Sequence, residues 1–162
     1  PCTMNAPLKF LADASLAGLV RWLRLLGFDA EVYSGPAGRP MMKMALCEQR
    51  IVLTRRRDMM ERQFSGKMLL IPEFSTSHQL HFVINQLHLS IRSEKMHSRC
   101  LLCNEKLRPI KREDVRNDVP AYVFENCEEY FKCHCCGKIY WPGTHVRNTR
   151  QFLKNNNIRI DI

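Results

Sequence analysis

Cys100-Leu101-Leu102-Cys103 and Cys133-His134-Cys135-Cys136-Gly137-Lys138 are the stretches that decide the fold of the second half of this 162-residue chain. Two sulfurs three residues apart on a tight turn point the same way, so two Cys-x-x-Cys pairs can converge tetrahedrally on one Zn²⁺. His134 or Cys135 could replace one ligand, but the two-plus-two spacing favours Cys133 and Cys136. The sequence therefore predicts a small zinc ribbon whose structural Zn²⁺ is bound by Cys100, Cys103, Cys133 and Cys136.

Composition and charge describe a basic globular chain. Hydrophobic residues make up 45% and charged residues 25% of the sequence, which suits one domain, alone or with a small appendage. The formal net charge of +9 favours a polyanionic partner or an acidic protein surface. A soluble protein that is basic without such a partner is the alternative.

The sequence also bears on the compartment. No apolar run approaches the ~20 residues of a membrane span, and no charged-then-apolar leader opens the chain, so we expect no membrane partner. Four of the eight cysteines are the predicted zinc ligands, and nothing marks a secreted, disulfide-bonded protein. We expect a cytoplasmic protein, with the nucleus or ribonucleoprotein granules as alternatives. Because the chain starts at Pro1 rather than at methionine, we also expect one module of a longer protein.

The first half alternates short apolar runs with helical patterns. We expect strands at 8–12, 28–33, 50–54 and 67–71, and helices at 14–26, 41–49, 59–64 and 75–91. Such alternation predicts an α/β domain with a parallel sheet flanked by helices, and ligands bind such sheets beyond the carboxyl ends of their strands. Residues 92–98 read as a polar linker. The predicted division is therefore an α/β domain over 7–92, followed by the zinc ribbon and C-terminal tail over 93–162.

Two carboxylates, Asp13 and Asp58, follow the first and third predicted strands, and Glu73 lies beyond the fourth. Carboxylates at one sheet edge could share Mg²⁺ or Mn²⁺, because hard cations prefer oxygen ligands. Metal-assisted phosphodiester hydrolysis usually needs three or four such acids. The alternative is that Asp13 and Asp58 cap the helices that follow them. The sequence leaves both roles open for these two candidate catalytic residues.

Consecutive cations stand beside Asp58 at the same predicted edge. Arg55, Arg56 and Arg57 could bind phosphate groups, or could form a solvated surface turn. With the overall excess of positive charge we favour phosphate binding. Arg21 and Arg24, on the first predicted helix, would extend the same surface.

Aromatic residues follow the second cysteine pair, in Tyr140-Trp141-Pro142-Gly143-Thr144-His145. Trp141 could stack on unpaired bases, which is a sequence-tolerant way of binding single-stranded RNA. Alternatively, Tyr140 and Trp141 pack the ribbon onto the first domain. His145 could contact phosphate, donate a proton or serve as a buried hydrogen-bond partner.

Several motifs occur together in a recognisable order. They are Lys9-Phe10-Leu11-Ala12-Asp13, Arg21-Trp22-Leu23-Arg24-Leu25-Leu26-Gly27-Phe28-Asp29, Ile51-Val52-Leu53-Thr54-Arg55, Arg99-Cys100-x-x-Cys103-Asn104, Val119-Pro120 and Cys133-x-x-Cys136-Gly137-Lys138-x-Tyr140-Trp141-x-Gly143-Thr144-His145. Together they resemble the Mut-seven C-terminal RNase family over about residues 7–155. The resemblance implies a PIN-like parallel sheet flanked by helices, a ribbon zinc and an RNA substrate. It also implies the C-terminal module of a larger 3′-5′ exoribonuclease associated with RNA silencing, whose exonuclease domain would be a partner within the same protein.

The chain departs from that family at the acidic site. Family members typically read Thr-Arg-Asp-x-Asp after the third strand, whereas here Arg56 replaces the first of these two acids. The loop after the second strand usually offers further acids, but residues 34–44 contain none. Exchanging an acid for a cation changes the local charge by two units and should weaken divalent-ion binding severely. Asp13 and Asp58 would then be remnants of a degenerate nuclease site.

We therefore expect a module that binds single-stranded RNA for a catalytic domain elsewhere in the protein. One alternative is an active ribonuclease, in which Asp13 and Asp58, helped by Glu73 or His145, use Mg²⁺ or Mn²⁺. A second alternative is a scaffold whose methionine-rich helix at 41–49 docks a protein cofactor.

Overall fold

Four short parallel strands form the central sheet, in the order β2-β1-β3-β4. The computed structural model describes residues 7–72 and 75–161 of the chain. The strands are β1 (Lys9–Ala12), β2 (Asp29–Val32), β3 (Ile51–Thr54) and β4 (Met68–Leu70). This confirms the predicted α/β class with a parallel sheet flanked by helices.

The two central strands are buried on both faces, because helices cover both sides of a parallel sheet. Successive residues point to opposite faces: Phe10 and Leu53 belong to one hydrophobic core, and Leu11 and Val52 to another. The helices of this half are α1 (Ala17–Leu25), α2 (Arg39–Glu48), α3 (Arg57–Met60) and α4 (Thr76–Leu87). Residues of α1 and α4 fill the first core, and residues of α2 and α3 fill the second.

All four helices differ in extent from the prediction, and the first, predicted over 14–26, is a 3₁₀ turn at Ala14–Leu16 followed by α1. The second begins at Arg39, because Pro40 fits the first turn, where its missing N–H costs nothing. The third is a single turn over Arg57–Met60 rather than 59–64. The fourth ends at Leu87 instead of continuing to 91, because His88 takes the left-handed conformation with φ 50°.

Residues 92–98, predicted to be a polar linker, pack against the end of α1. His97 donates its backbone N–H to the carbonyl of Leu25 (2.8 Å), and Met96 is buried in the first core. Gly27, predicted to end α1, has φ 96°, and a Cβ there would lie 2.3 Å from the Lys95 carbonyl oxygen. Only glycine combines this backbone conformation with so close an approach.

The second half carries a three-stranded antiparallel ribbon, in the order β5-β6-β7. Its elements are β5 (Arg108–Ile110), α5 (Ala121–Asn126), β6 (Tyr130–Lys132) and β7 (Ile139–Tyr140). A small core of Val115, Val119, Val123 and Tyr130 supports it.

The last helix, α6 (Thr144–Asn155), leads the chain back to the first half. Its Phe152 ring stacks on Trp22 of α1 at 4.1 Å, and Leu153 and Ile158 are buried in the first core. The division at residues 92 and 93 stays a prediction, but part of the predicted tail contributes to the core of the first domain. Within the described residues, no helix is long and apolar enough to cross a membrane.

Candidate functional site

The four cysteines predicted from their spacing converge in space. All four sulfurs of Cys100, Cys103, Cys133 and Cys136 lie within 4.8 Å of one another. The Cys100 and Cys136 Sγ atoms are 3.8 Å apart. Tetrahedral coordination with Zn–S bonds of ~2.3 Å separates sulfurs by ~3.8 Å, so this spacing fits a tetrahedral metal ion. The cluster is therefore a candidate metal centre.

Two matching backbone turns hold the thiols. The backbone carbonyl of Cys100 accepts a hydrogen bond from the N–H of Asn104 (2.9 Å), and the carbonyl of Cys133 accepts one from the N–H of Gly137 (2.8 Å). Asn104 and Gly137, each directly after its Cys-x-x-Cys pair, share the left-handed conformation, with φ of 67° and 79°. This repeated geometry turns both pairs of sulfurs inward.

Tyr140 contacts the first cysteine turn through its hydroxyl. Its hydroxyl lies 3.1 Å from Cys100 Sγ and accepts the N–H of Leu101 at 3.1 Å. Burial raises the pKa of the Cys100 thiol. Hydrogen bonds from Tyr140 and from the N–H groups of Cys103 and Leu102 outweigh this effect, so the pKa falls to about 7. A metal needs the thiolate form as its ligand, so these hydrogen bonds favour metal binding.

Asn104 joins the first cysteine turn to β2, the edge strand of the sheet. Its side-chain oxygen accepts the N–H of Ala30 (3.1 Å), and its amide donates to Asp29 (2.7 Å) and to Glu31 (3.0 Å). The side chain is buried, at 5% exposure of the residue. Sequence reasoning assigned Asn104 no role, although its position right after a Cys-x-x-Cys pair could have marked it as structural.

Arg24, predicted to extend an RNA-binding surface, lies in the interior at 8% exposure. Its guanidinium donates to the carbonyls of Ala30 (2.7 Å), Leu101 (3.0 Å) and Leu102 (3.3 Å). It also forms an ion pair with Glu31 at 3.4 Å. This burial removes Arg24 from the exposed basic surface and gives it a structural role beside Asn104.

Asp13 lies at the carboxyl end of β1, where parallel sheets bind ligands. It caps the 3₁₀ turn Ala14–Leu16 by accepting from the Ser15 N–H and hydroxyl, as the capping alternative predicted. Its other oxygen accepts from the Thr54 hydroxyl (2.8 Å) and the Arg55 N–H (3.0 Å). Burial raises the pKa of Asp13, but these hydrogen bonds outweigh it and hold the pKa below its ordinary value.

Asp58 lies in the first turn of α3, while Arg56 occupies the cap position. The Arg56 guanidinium reaches both oxygens of Asp58, with Nε to Oδ1 at 3.0 Å and Nη2 to Oδ2 at 2.8 Å. This hydrogen-bonded pair lowers the pKa of the Asp58 carboxyl. Arg56 and Asp58 therefore pair with each other at the carboxyl edge of the sheet.

The described residues contain no cluster of three acids that could hold a hard cation. Over 7–72 and 75–161, the four cysteines are the group of three or more His, Cys, Asp or Glu side chains whose geometry suits a metal. Glu73, considered as a helper for catalysis, lies outside the described residues.

The structure brings three other predicted RNA-binding residues to one groove of about 880 Å³. Arg21 reaches it from α1, and Trp141 and His145 from the ribbon and the start of α6. Trp141 is half-buried and packs on the small core of the ribbon itself, whereas the packing alternative placed it against the first domain. Arg55, Arg56 and Arg57 do not line this groove and belong to the carboxyl edge of the sheet.

Comparison with known proteins identifies a family. The family described as the Mut7-C RNAse domain matches residues 8–153, which is nearly the whole chain. No curated protein and no solved structure matches the sequence. With its parallel α/β sheet, its four-cysteine cluster and this match, the chain belongs to the Mut7-C RNAse domain family.

Proposed function

We propose that this chain is an RNA-binding module with a structural zinc and a degenerate nuclease site. It would hold single-stranded RNA for an exonuclease domain in the same, longer protein. The observation that carries the proposal is the two-point contact of Arg56 with Asp58, because a guanidinium held against this carboxylate opposes the binding of a divalent metal ion there.

The hydrogen bonds of the two remnant acids support the loss of cleavage. A carboxylate has about four lone-pair sites. The oxygens of Asp13 accept hydrogen bonds from Ser15, from the Thr54 hydroxyl and from the Arg55 N–H. Both oxygens of Asp58 accept hydrogen bonds from Arg56. A divalent ion would have to displace several of these donors and approach a guanidinium. Two acids engaged in this way are poor ligands for Mg²⁺ or Mn²⁺.

Charge and exposure support RNA as the partner. Arg56 and Arg57 are exposed at the carboxyl edge of the sheet, and the chain has a net charge of +9. The family is one of RNases, so RNA is the polyanion that its members' name implies. Cations at this edge would contact phosphates, which gives affinity without sequence preference.

Zinc is the metal that the cysteine cluster suits best. Four thiolates with tetrahedral spacing and no open position are typical of structural zinc sites. The ribbon core is small, and such ribbons draw much of their stability from the metal. Metal analysis of the purified protein should find one zinc per chain and no manganese.

The proposed RNA binding is tested by measuring the affinity of the protein for RNA at several salt concentrations. Exchanging Arg55, Arg56 and Arg57 together for alanine should weaken binding of a single-stranded oligonucleotide and reduce the salt slope by roughly 2, if each arginine contacts one phosphate. Lys106, Lys111 and Lys154, all exposed, form the matched control, since their exchange removes the same charge elsewhere. Equal losses in both triple variants would contradict a binding surface at the sheet edge.

The proposed loss of metal binding is tested by replacing Arg56 with an acid. Arg56→Asp removes the guanidinium from Asp58 and should create measurable Mn²⁺ binding by calorimetry, whereas the unchanged protein should show none. Arg57→Asp makes the same charge change at the neighbouring exposed position and should gain less. RNA cleavage by the unchanged protein in Mn²⁺, abolished by Asp13→Asn, would overturn this part of the proposal in favour of an active ribonuclease.

A further inference from the structure

We propose that the groove between α1, residues 93–99, the ribbon and α6 binds one or two unpaired nucleotides of an RNA strand. This inference rests on the proposed function, because it assumes that the chain binds RNA. It adds a place where the bases themselves are held, separate from the arginines at the sheet edge.

The size and lining of the groove suit a nucleotide. Its volume is about 880 Å³, and pockets for small ligands usually measure ~300–1,000 Å³. Rings of Trp22, Phe131, Tyr140, Trp141 and Phe152 form much of its wall. Aromatic rings stack on any base, so such a wall binds unpaired RNA with little sequence preference.

Cations stand among these aromatic rings. Arg21, Lys138 and Arg150 line the groove and are exposed, so they can reach phosphate groups. Of the two acids in the lining, Glu94 already forms an ion pair with Arg92 at 2.7 Å. An apolar peptide would leave the three cations unmatched, whereas a nucleotide offers a ring to the aromatic side chains and a phosphate to the cations.

His97 supplies a polar group that a ligand could satisfy. It lines the groove, and its Nε2 is buried without a hydrogen-bond partner among the described residues. Burial, followed by the charges of Arg150 and His145, lowers the pKa of His97. The imidazole is therefore neutral at pH 7, with one nitrogen to donate and one to accept, which matches the mixed donors and acceptors of a base edge.

The chain provides its own fluorescent reporters for this groove. Both of its tryptophans, Trp22 and Trp141, line the groove. Stacking a base against either ring should quench the intrinsic fluorescence. We suggest titrating the zinc-loaded protein with hexauridylate, with an abasic ribose-phosphate hexamer of the same charge, and with a duplex RNA.

We expect saturable quenching by hexauridylate and at least about fivefold weaker binding of the abasic strand, which corresponds to the lower range for one stacked base. The duplex should quench less than the single strand. Equal affinity for the base-bearing and abasic strands, or RNA binding without any change in fluorescence, would overturn the groove inference alone. Absence of RNA binding altogether would instead remove the proposed function and this inference with it.

A pair of histidine variants sharpens the test. His97 and His88 both take the left-handed conformation, with φ of 60° and 50°, and asparagine tolerates that conformation well. His97→Asn removes the ring from the groove, while His88→Asn makes the same exchange at an exposed residue outside it. The His97 variant should lose part of the preference for base-bearing RNA, because the aromatic rings that stack on the bases remain, and the His88 variant should keep all of it. Alanine at Arg55, Arg56 and Arg57 should weaken both strands equally.

Discussion

Replacing Asn104 by glycine tests how firmly the metal-binding ribbon is tied to the sheet. The exchange keeps the left-handed backbone, which has φ 67° at this residue, and removes only the side chain. Ala30 then loses the acceptor for its N–H, and Asp29 and Glu31 each lose a donor.

The expected cost follows from these three hydrogen bonds. A buried N–H left without an acceptor costs ~1–3 kcal/mol. The side chains of Asp29 and Glu31 are 24% and 35% exposed, so water partly replaces their lost donor. Each of them adds less than ~1 kcal/mol. We therefore expect Asn104→Gly to lower the free energy of unfolding by about 2–4 kcal/mol.

Urea denaturation at saturating zinc measures this free energy directly. Asn157→Gly is the matched control, because Asn157 is exposed and has φ 56°. The extra backbone entropy of glycine in the unfolded chain is then the same in both variants and cancels in the difference. If the two variants differ by less than ~0.5 kcal/mol, the side chain of Asn104 does not join the ribbon to the sheet.

Three further predictions concern the backbone, the acids and the metal. Gly27→Ala should lower the free energy of unfolding by more than ~2 kcal/mol, because the added Cβ would lie 2.3 Å from the Lys95 carbonyl oxygen. Gly137→Ala is the control: this glycine has φ 79° but no atom within 4 Å of an added Cβ, so the free energy of unfolding should fall by less. Asp13 and Asp29 both have lowered pKa values in the folded protein, so the stability that they contribute is present above about pH 5 and is lost as the pH falls through the folded pKa values. Unfolding measured from pH 6 to pH 3 should show this loss, and Asp13→Asn should make it shallower; an unchanged slope would contradict the role of the Asp13 hydrogen bonds. Removal of the metal with a chelator should unfold the ribbon, and adding zinc should refold it. Near-ultraviolet circular dichroism follows both steps. A spectrum unaffected by complete metal loss would exclude a structural metal.

Local patterns were enough to predict the cysteine cluster and the sheet. Cys100 and Cys103 are close in sequence, so their spacing determines which way the sulfurs point, and the same is true of Cys133 and Cys136. The strands were predictable because their apolar runs, of about five residues, are too short for a helix and alternate with helical patterns. The cap formed by Asp13 was predictable for the same reason, since it depends on Ser15, two residues away.

Contacts between distant residues were not predictable in this way. Arg21 and Arg24 look alike on the helical pattern of α1, yet Arg21 is exposed at the groove and Arg24 is buried. The difference arises because Leu101 and Leu102, more than seventy residues later, bring their carbonyls to Arg24. No periodicity within α1 contains that information. The groove likewise needs the ribbon, α1 and α6 to come together, which only the tertiary structure reveals.

The position of the ribbon lets the first cysteine turn contact the edge of a domain that already has its own core. β2 is an edge strand, and an uncovered edge offers unpaired N–H and C=O groups to other chains. At Ala30 both groups are taken by side chains, the N–H by Asn104 and the C=O by Arg24. Asn104 is held in place by the first cysteine turn, and Arg24 is held by the carbonyls of that same turn. A metal ion bound by the four cysteines would fix this turn, and would thereby help to protect the edge of the sheet as well as the ribbon.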